Sequence, residues 1–259
     1  MGKIIAIANQ KGGVGKTTTS INLAASFAAM KRKVMLIDLD PQGNATVGSG
    51  VQKEQIQYSA NQVLCNEVNI TEALIKTEGG FDLLATTSDL IVAEMQLLQV
   101  AQREQRLKTI LDKVIADYDY ILIDCPPSLS VLTVNALVAA DSVLIPIQCE
   151  YYALEGLSGL LSTIEQIRTT INPRLHIEGL LRTMYDGRNR LALDVSSQLL
   201  SHFPDNVYRT VIPRNVRLAE APSHGAPILN YDGKSQGAIA YLALAGEILR
   251  RGEKVETVS

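Results

Sequence analysis

Short apolar runs recur along this chain, each closing on a polar or glycine-rich joint. The runs at residues 3–9, 34–37, 81–85, 120–123, 142–148, 175–184 and 207–212 read as buried strands, since they are short, continuous and rich in Ile, Leu and Val. Between them the apolar spacing turns helical. In residues 17–30, Leu23, Phe27 and Met30 fall on one face at i, i+4 and i+7. Short helices are expected at 60–66 and 71–76, and longer ones at 89–116, 128–138, 153–170, 191–202 and 234–251. Residues 44–60, rich in Gly, Ser, Gln and Thr, read as a mobile loop, and 213–225 as a polar segment punctuated by proline. Strands alternating with helices predict an α/β fold: a doubly wound, mostly parallel sheet of about seven or eight strands with helices on both faces. No repeat or linker divides the pattern, so residues 1–259 read as a single domain.

The first joint carries the strongest chemical signal. Asn9-Gln10-Lys11-Gly12-Gly13-Val14-Gly15-Lys16-Thr17-Thr18 lies between a strand and a helix, the context a phosphate-binding loop requires. Gly12, Gly13 and Gly15 let the backbone curl and aim N–H groups at phosphate oxygens, and the helix N-terminus adds partial positive charge. Lys16 would give a full charge to the β- and γ-phosphates, and Thr17 a hydroxyl to Mg²⁺. Gln10 stands where the common G-x-x-x-x-G-K-[ST] pattern has its first glycine, and a second lysine, Lys11, precedes the glycine pair. This K-G-G-x-G-K-T-T form resembles the deviant Walker A motif of the ParA/MinD group of ATPases.

Two further joints are acidic. The second run closes on Asp38-Leu39-Asp40-Pro41-Gln42-Gly43-Asn44, and residues 120–123 close on Asp124 as in a Walker B strand. Ligands bind at that C-terminal edge of an open parallel sheet. Attack of water on a γ-phosphate needs charge neutralisation, a metal, a positioned water and extra positive charge in the transition state. Lys16 answers the first; Thr17 directly, with Asp124 and Asp38 through waters, the second; Asp40 the third; and Lys11, in its own site or a partner's, the fourth.

Composition narrows the setting. The widely spaced Cys65, Cys125 and Cys149 suggest neither disulfides nor zinc, and fit a reducing cytoplasm. No signal peptide or membrane-spanning run is apparent. His176, His202 and His224 are scattered, so no metal or base role is assigned to them. Net charge is −3, but residues 168–259 hold 12 Lys and Arg against 9 Asp and Glu, while residues 1–167 hold 12 against 18. That asymmetry permits a local basic face despite an acidic whole.

The resemblance sharpens with D-L-D-P-Q-G-N-A-T at 38–46, I-D-C-P-P-S-L at 123–129 and I-P-R-N-V-R-L-A-E-A-P-S-H-G at 212–225. Together these look like ParA/Soj chromosome-partitioning ATPases over nearly the whole chain. The resemblance implies an ATPase using ATP and Mg²⁺, in which the lysine matching Lys11 reaches across a nucleotide-sandwich homodimer. It also implies switch segments at 38–50 and 124–135, and positions near the adenine at Pro213 and Asn215. The ATP-bound dimer would bind double-stranded DNA without sequence preference, and a ParB-type centromere-binding partner would stimulate hydrolysis. The site's place would then be the nucleoid in the cytoplasm. The basic residues expected to meet DNA are Arg188, Arg190, Arg214, Arg217, Lys234, Arg250 and Arg251, with Arg188 and Arg214 open to nucleotide or dimer contacts instead. The tail at 250–259 has too little apolar surface for the membrane helix of a MinD-like protein. The alternative that remains is an ATPase of the same group positioning a protein or membrane cargo.

Overall fold

The computed structural model describes residues 2–256. Eight strands form one sheet: β1 Lys3–Ile7, β2 Val34–Asp38, β3 Leu74–Lys76, β4 Asp82–Leu84, β5 Tyr120–Asp124, β6 Ser142–Gln148, β7 His176–Tyr185 and β8 Val207–Pro213. Their order is β3-β4-β2-β5-β1-β6-β7-β8, parallel throughout except for antiparallel β3 on β4. The helices are α1 Lys16–Ala29, α2 Asn44–Gly48, α3 Ala60–Cys65, α4 Ile70–Ala73, α5 Leu90–Leu97, α6 Arg106–Leu111, α7 Val131–Ala139, α8 Ala153–Thr170, α9 Arg190–His202, α10 Val216–Glu220, α11 Ile228–Asp232 and α12 Gln236–Glu256.

The period of two along each strand divides the core. Ile4, Ala6 and Ala8 face one apolar layer, with Leu132, Leu157 and Leu199 from α7, α8 and α9. Ile5 and Ile7 face the other, built on α1 and α12 around Phe27, Tyr241, Leu244 and Ile248. The central β1 is therefore buried on both sides, as its unbroken apolar sequence requires. The outer edge of β8 is closed by α12. Glu247 accepts from the Arg209 and Thr210 amides, and Arg251 donates to the carbonyls of Asp205 and Val207. These side chains satisfy backbone groups that a bare edge strand would expose.

The structure corrects three sequence expectations. Residues 44–60 open on a helix, α2, rather than a loop. Leu74–Lys76, expected in a helix, is the short edge strand β3. Residues 89–116 are not one helix but α5 and α6, separated around Gln102, whose φ is 55°, and flanked by 3-10 turns. The polar segment 213–225 holds α10 and a 3-10 turn at Ala221–His224.

Candidate active site

The loop after β1 turns through Gly13 (φ 74°) and Gly15 (φ 85°), a left-handed region that a Cβ would strain. Gly15 caps α1 and offers no side chain, so the first-turn N–H groups of α1 keep their capacity for an anion. Thr183 on β7 braces this loop by donating its hydroxyl to the Val14 carbonyl at 2.7 Å.

Lys16 is 6% exposed, with Nζ 3.3 Å from the Lys11 carbonyl. Burial pulls its ammonium below the ordinary lysine range, against the attraction of Asp124 and Asp40. Thr17 and Ser20, three residues apart on one face of α1, both donate to Asp124 at 2.8 Å. Asp124 is fully buried and pairs in register with Asp38 across β5 and β2. Burial raises both carboxyls above the usual carboxylate range; for Asp124 the neighbouring Asp38 charge adds to the effect.

Asp38 is fully buried beside Asp124. Its oxygens accept from the Asp40 amide and from both the amide and hydroxyl of Thr46, which anchors α2 to the end of β2. Thr46 in turn accepts from the Thr86 amide after β4. Asp40 is 9% exposed and lines the cavity; its Oδ1 accepts from the Gln42 amide at 3.0 Å.

These elements enclose a cavity of about 670 Å³ lined by Gly12, Gly13, Gly15, Lys16, Thr17, Thr18 and Asp40, and on the far wall by Pro213, Arg214 and Asn215. Pro213 ends β8, and Asn215 caps α10 by accepting from the Leu218 amide at 3.2 Å. Thr183 and Met184 complete the wall; Met184 holds a φ of 47°, a strained backbone facing the cavity.

Among the described residues no group of three or more His, Cys, Asp or Glu is placed to hold a metal ion. The paired oxygens of Thr17 and Asp124 suit Mg²⁺, which takes one or two protein oxygens together with phosphates and waters.

Lys11 lies apart from this cradle. Its Nζ is 2.6 Å from Glu150 Oε2, beyond the end of β6. Nothing lies within 4 Å of where a Cβ on Gly12 would stand.

Of the basic candidates, Arg188 and Arg214 lie near each other, both acting on Asp186. Arg188 is 91% exposed and held by Asp186, and Arg217 pairs with Glu220 and Asp232. Lys234 and Arg250 are exposed, Lys234 just before α12 and Arg250 about 21 Å along it from Gln236 at 1.5 Å per residue. Arg190 and Arg214 are exposed near the cavity's side of the sheet. Arg251 is a correction: its guanidinium is spent on Asp205, Val207 and Glu247 and packs 4.5 Å above the Tyr208 ring, at the sheet edge opposite the cavity.

Sequence reasoning missed Ser20, Thr46, Glu150, Thr183 and Met184. The i, i+3 spacing of Thr17 and Ser20 could have disclosed the first; tertiary folding alone brings the others in.

A phosphate loop with a buried lysine, facing two buried aspartates at adjacent strand ends, defines a P-loop nucleotide-binding fold. The family model described as an AAA domain matches residues 2–177. The sporulation initiation inhibitor protein Soj of Bacillus subtilis is 52% identical, covering 97% of this chain and all of that protein. The chromosome partitioning protein ParA of Caulobacter vibrioides is 51% identical over 96% of this chain and 94% of its own. This chain belongs to the ParA/Soj chromosome-partitioning ATPase family. Among solved structures, cobyrinic acid a,c-diamide synthase of Mycobacterium smegmatis with bound ADP and magnesium matches with a TM-score of 0.86 and 39% identity, covering 98% of this chain and 96% of that one. No helix among the described residues is long and apolar enough to cross a membrane.

Proposed function

We propose that this protein is an ATP-dependent DNA-segregation switch acting in the cytoplasm on the nucleoid. ATP with Mg²⁺ occupies the cavity, joins two copies in a nucleotide sandwich, and makes the dimer competent for non-specific DNA binding. Hydrolysis, stimulated by a ParB-type partner, resets it. The observation that carries this reading is the cradle itself: buried Lys16 at the uncapped start of α1, opposite Thr17 and Asp124, inside a chain 52% identical to Soj.

Each residue then has a task this geometry supports. Loop amides and Lys16 bind the phosphates. Thr17 and Asp124 would hold Mg²⁺, which would supply charge neutralisation for the phosphates. Pro213 and Asn215 flank the base. Asp40, on the wall facing Lys16 and Thr17, orients the attacking water. Lys11 supplies its charge to the opposite copy once released from Glu150, and the unobstructed space above Gly12 is where that copy approaches.

Sedimentation of the purified protein with ATP, ADP and no nucleotide tests the reading. A dimer with ATP alone supports it; the same species in all three conditions refutes the switch.

A further inference from the structure

α5 carries apolar side chains on two opposite faces. Leu90, Ala93 and Leu97 point inward and are buried. Ile91, Met95 and Leu98 follow one another at i, i+4 and i+7 on the opposite face, 49%, 65% and 55% exposed, with Val92 beside them at 48% and Val100 just beyond at 49%. Nothing among the described residues covers this outer apolar face.

The size and rim of this strip limit its occupant. The five side chains expose a few hundred Å², the scale of a functional patch on a monomer and short of the ~800 Å² per partner that a stable dimer buries. A second copy of this chain is therefore a poor fit, and one helix laid across the strip a good one. The rim is acidic. Asp89 and Glu94 lie on α5 itself. Glu67 follows the end of α3, where Cys65 Sγ donates to Gln96 Oε1 at 3.0 Å, and Glu104 stands beyond Leu98. Two arginines lie nearby, each spent on a carbonyl: Arg103 donates to Leu98 O, and to Glu104, while Arg106 donates to Leu64 O. Four carboxylates against two guanidiniums leave the rim negative.

We propose that the outer face of α5 docks an amphipathic helix of a partner protein, with Lys or Arg beside its apolar stripe. This surface is separate from the nucleotide cavity, so its occupancy does not depend on the ATP switch.

The test uses the full chain and a labelled synthetic peptide of leucine and lysine at helical spacing, about 18 residues or five turns long. Fluorescence anisotropy compares it with a leucine/glutamate twin and with a scrambled leucine/lysine peptide that has no apolar face. The basic helix is expected to bind wild type, and to bind Ile91→Gln/Met95→Gln at least about tenfold more weakly, as loss of a central apolar anchor does. Glu94→Gln should weaken it a few-fold. Circular dichroism confirms that these exposed substitutions leave the fold intact. No binding by the basic helix, equal binding by either control peptide, or unchanged affinity in the double variant overturns the proposal. So does a nucleotide-independent dimer, seen in sedimentation, that the double variant dissolves, because a second copy then covers the strip.

Discussion

Lys11 Nζ and Glu150 Oε2 lie 2.6 Å apart, tying the phosphate loop to the segment after β6. Both side chains are partly exposed, so the pair is weak, worth at most about 1 kcal/mol. If Lys11 serves the opposite copy, Glu150 competes for it. Glu150→Gln is therefore expected to lower the protein concentration needed for the ATP-dependent dimer by a few-fold at most, and Lys11→Ala to abolish that dimer while ATP still binds. Sedimentation at graded protein concentrations reads both. A dimer unaffected by Lys11→Ala removes the cross-subunit role.

Gly12→Val separates folding from assembly. A valine side chain finds open space in the single chain, so the variant should fold and bind ATP, yet remain a monomer because the branch occupies the seam. Calorimetry gives the ATP affinity and sedimentation the state; an ATP-dependent dimer of wild-type strength contradicts the placement of the seam.

Lys16→Ala removes the buried positive charge of the phosphate loop, and ATP affinity should fall below detection. Asp40→Asn keeps an acceptor for the Gln42 amide but loses the charge that orients or deprotonates water. It should bind ATP and accumulate as dimer while turnover drops about 10²–10⁴-fold, the usual contribution of a general base. Turnover per bound nucleotide at the wild-type rate would make Asp40 a binding residue.

The buried Asp124 carboxyl gives a pH signature. Burial first, then the Asp38 charge, pushes it up to about 7 from an ordinary 3.8. The folded chain thus holds this proton more tightly than the unfolded chain. Its contribution to stability is lost as pH rises from about 4 through about 7. Mg²⁺ needs the ionised form, so Mg²⁺–nucleotide binding should strengthen with pH up to about 7 and then level off. Calorimetry in buffers of differing ionisation enthalpy should detect proton release below that pH. A flat profile from pH 5.5 to 8 denies Asp124 the cation.

The strands that carry the site were readable because burial on both faces demands unbroken apolar runs, as in β1, β2 and β5. Their acidic or glycine ends followed from the edge of a parallel sheet. β3 escaped notice because it is three residues long and partly exposed, so it carries no period. α2 is capped by Gly43 without a side-chain bond and is held by the reach of Asp38 to Thr46, a contact between segments that no local pattern announces. The break between α5 and α6 occurs without Gly or Pro, at Gln102 in a left-handed conformation, so residues 89–116 read as continuous. Arg251 looked like any surface cation in sequence; only the fold shows it closing the β8 edge.

In the proposed switch, nucleotide state controls DNA binding. In a single copy Arg217 is already shared between Glu220 and Asp232. Two copies joined by ATP would align their basic surfaces on one duplex and release more counterions together, raising affinity and steepening its salt dependence. The decisive measurement is a salt titration of binding to unrelated DNA duplexes with ATP and with ADP, on wild type and on Arg217→Ala. Tight, steeply salt-dependent binding is expected with ATP, little with ADP, and a marked loss in Arg217→Ala with the dimer intact. Equal binding in both nucleotide states, or none in either, contradicts it.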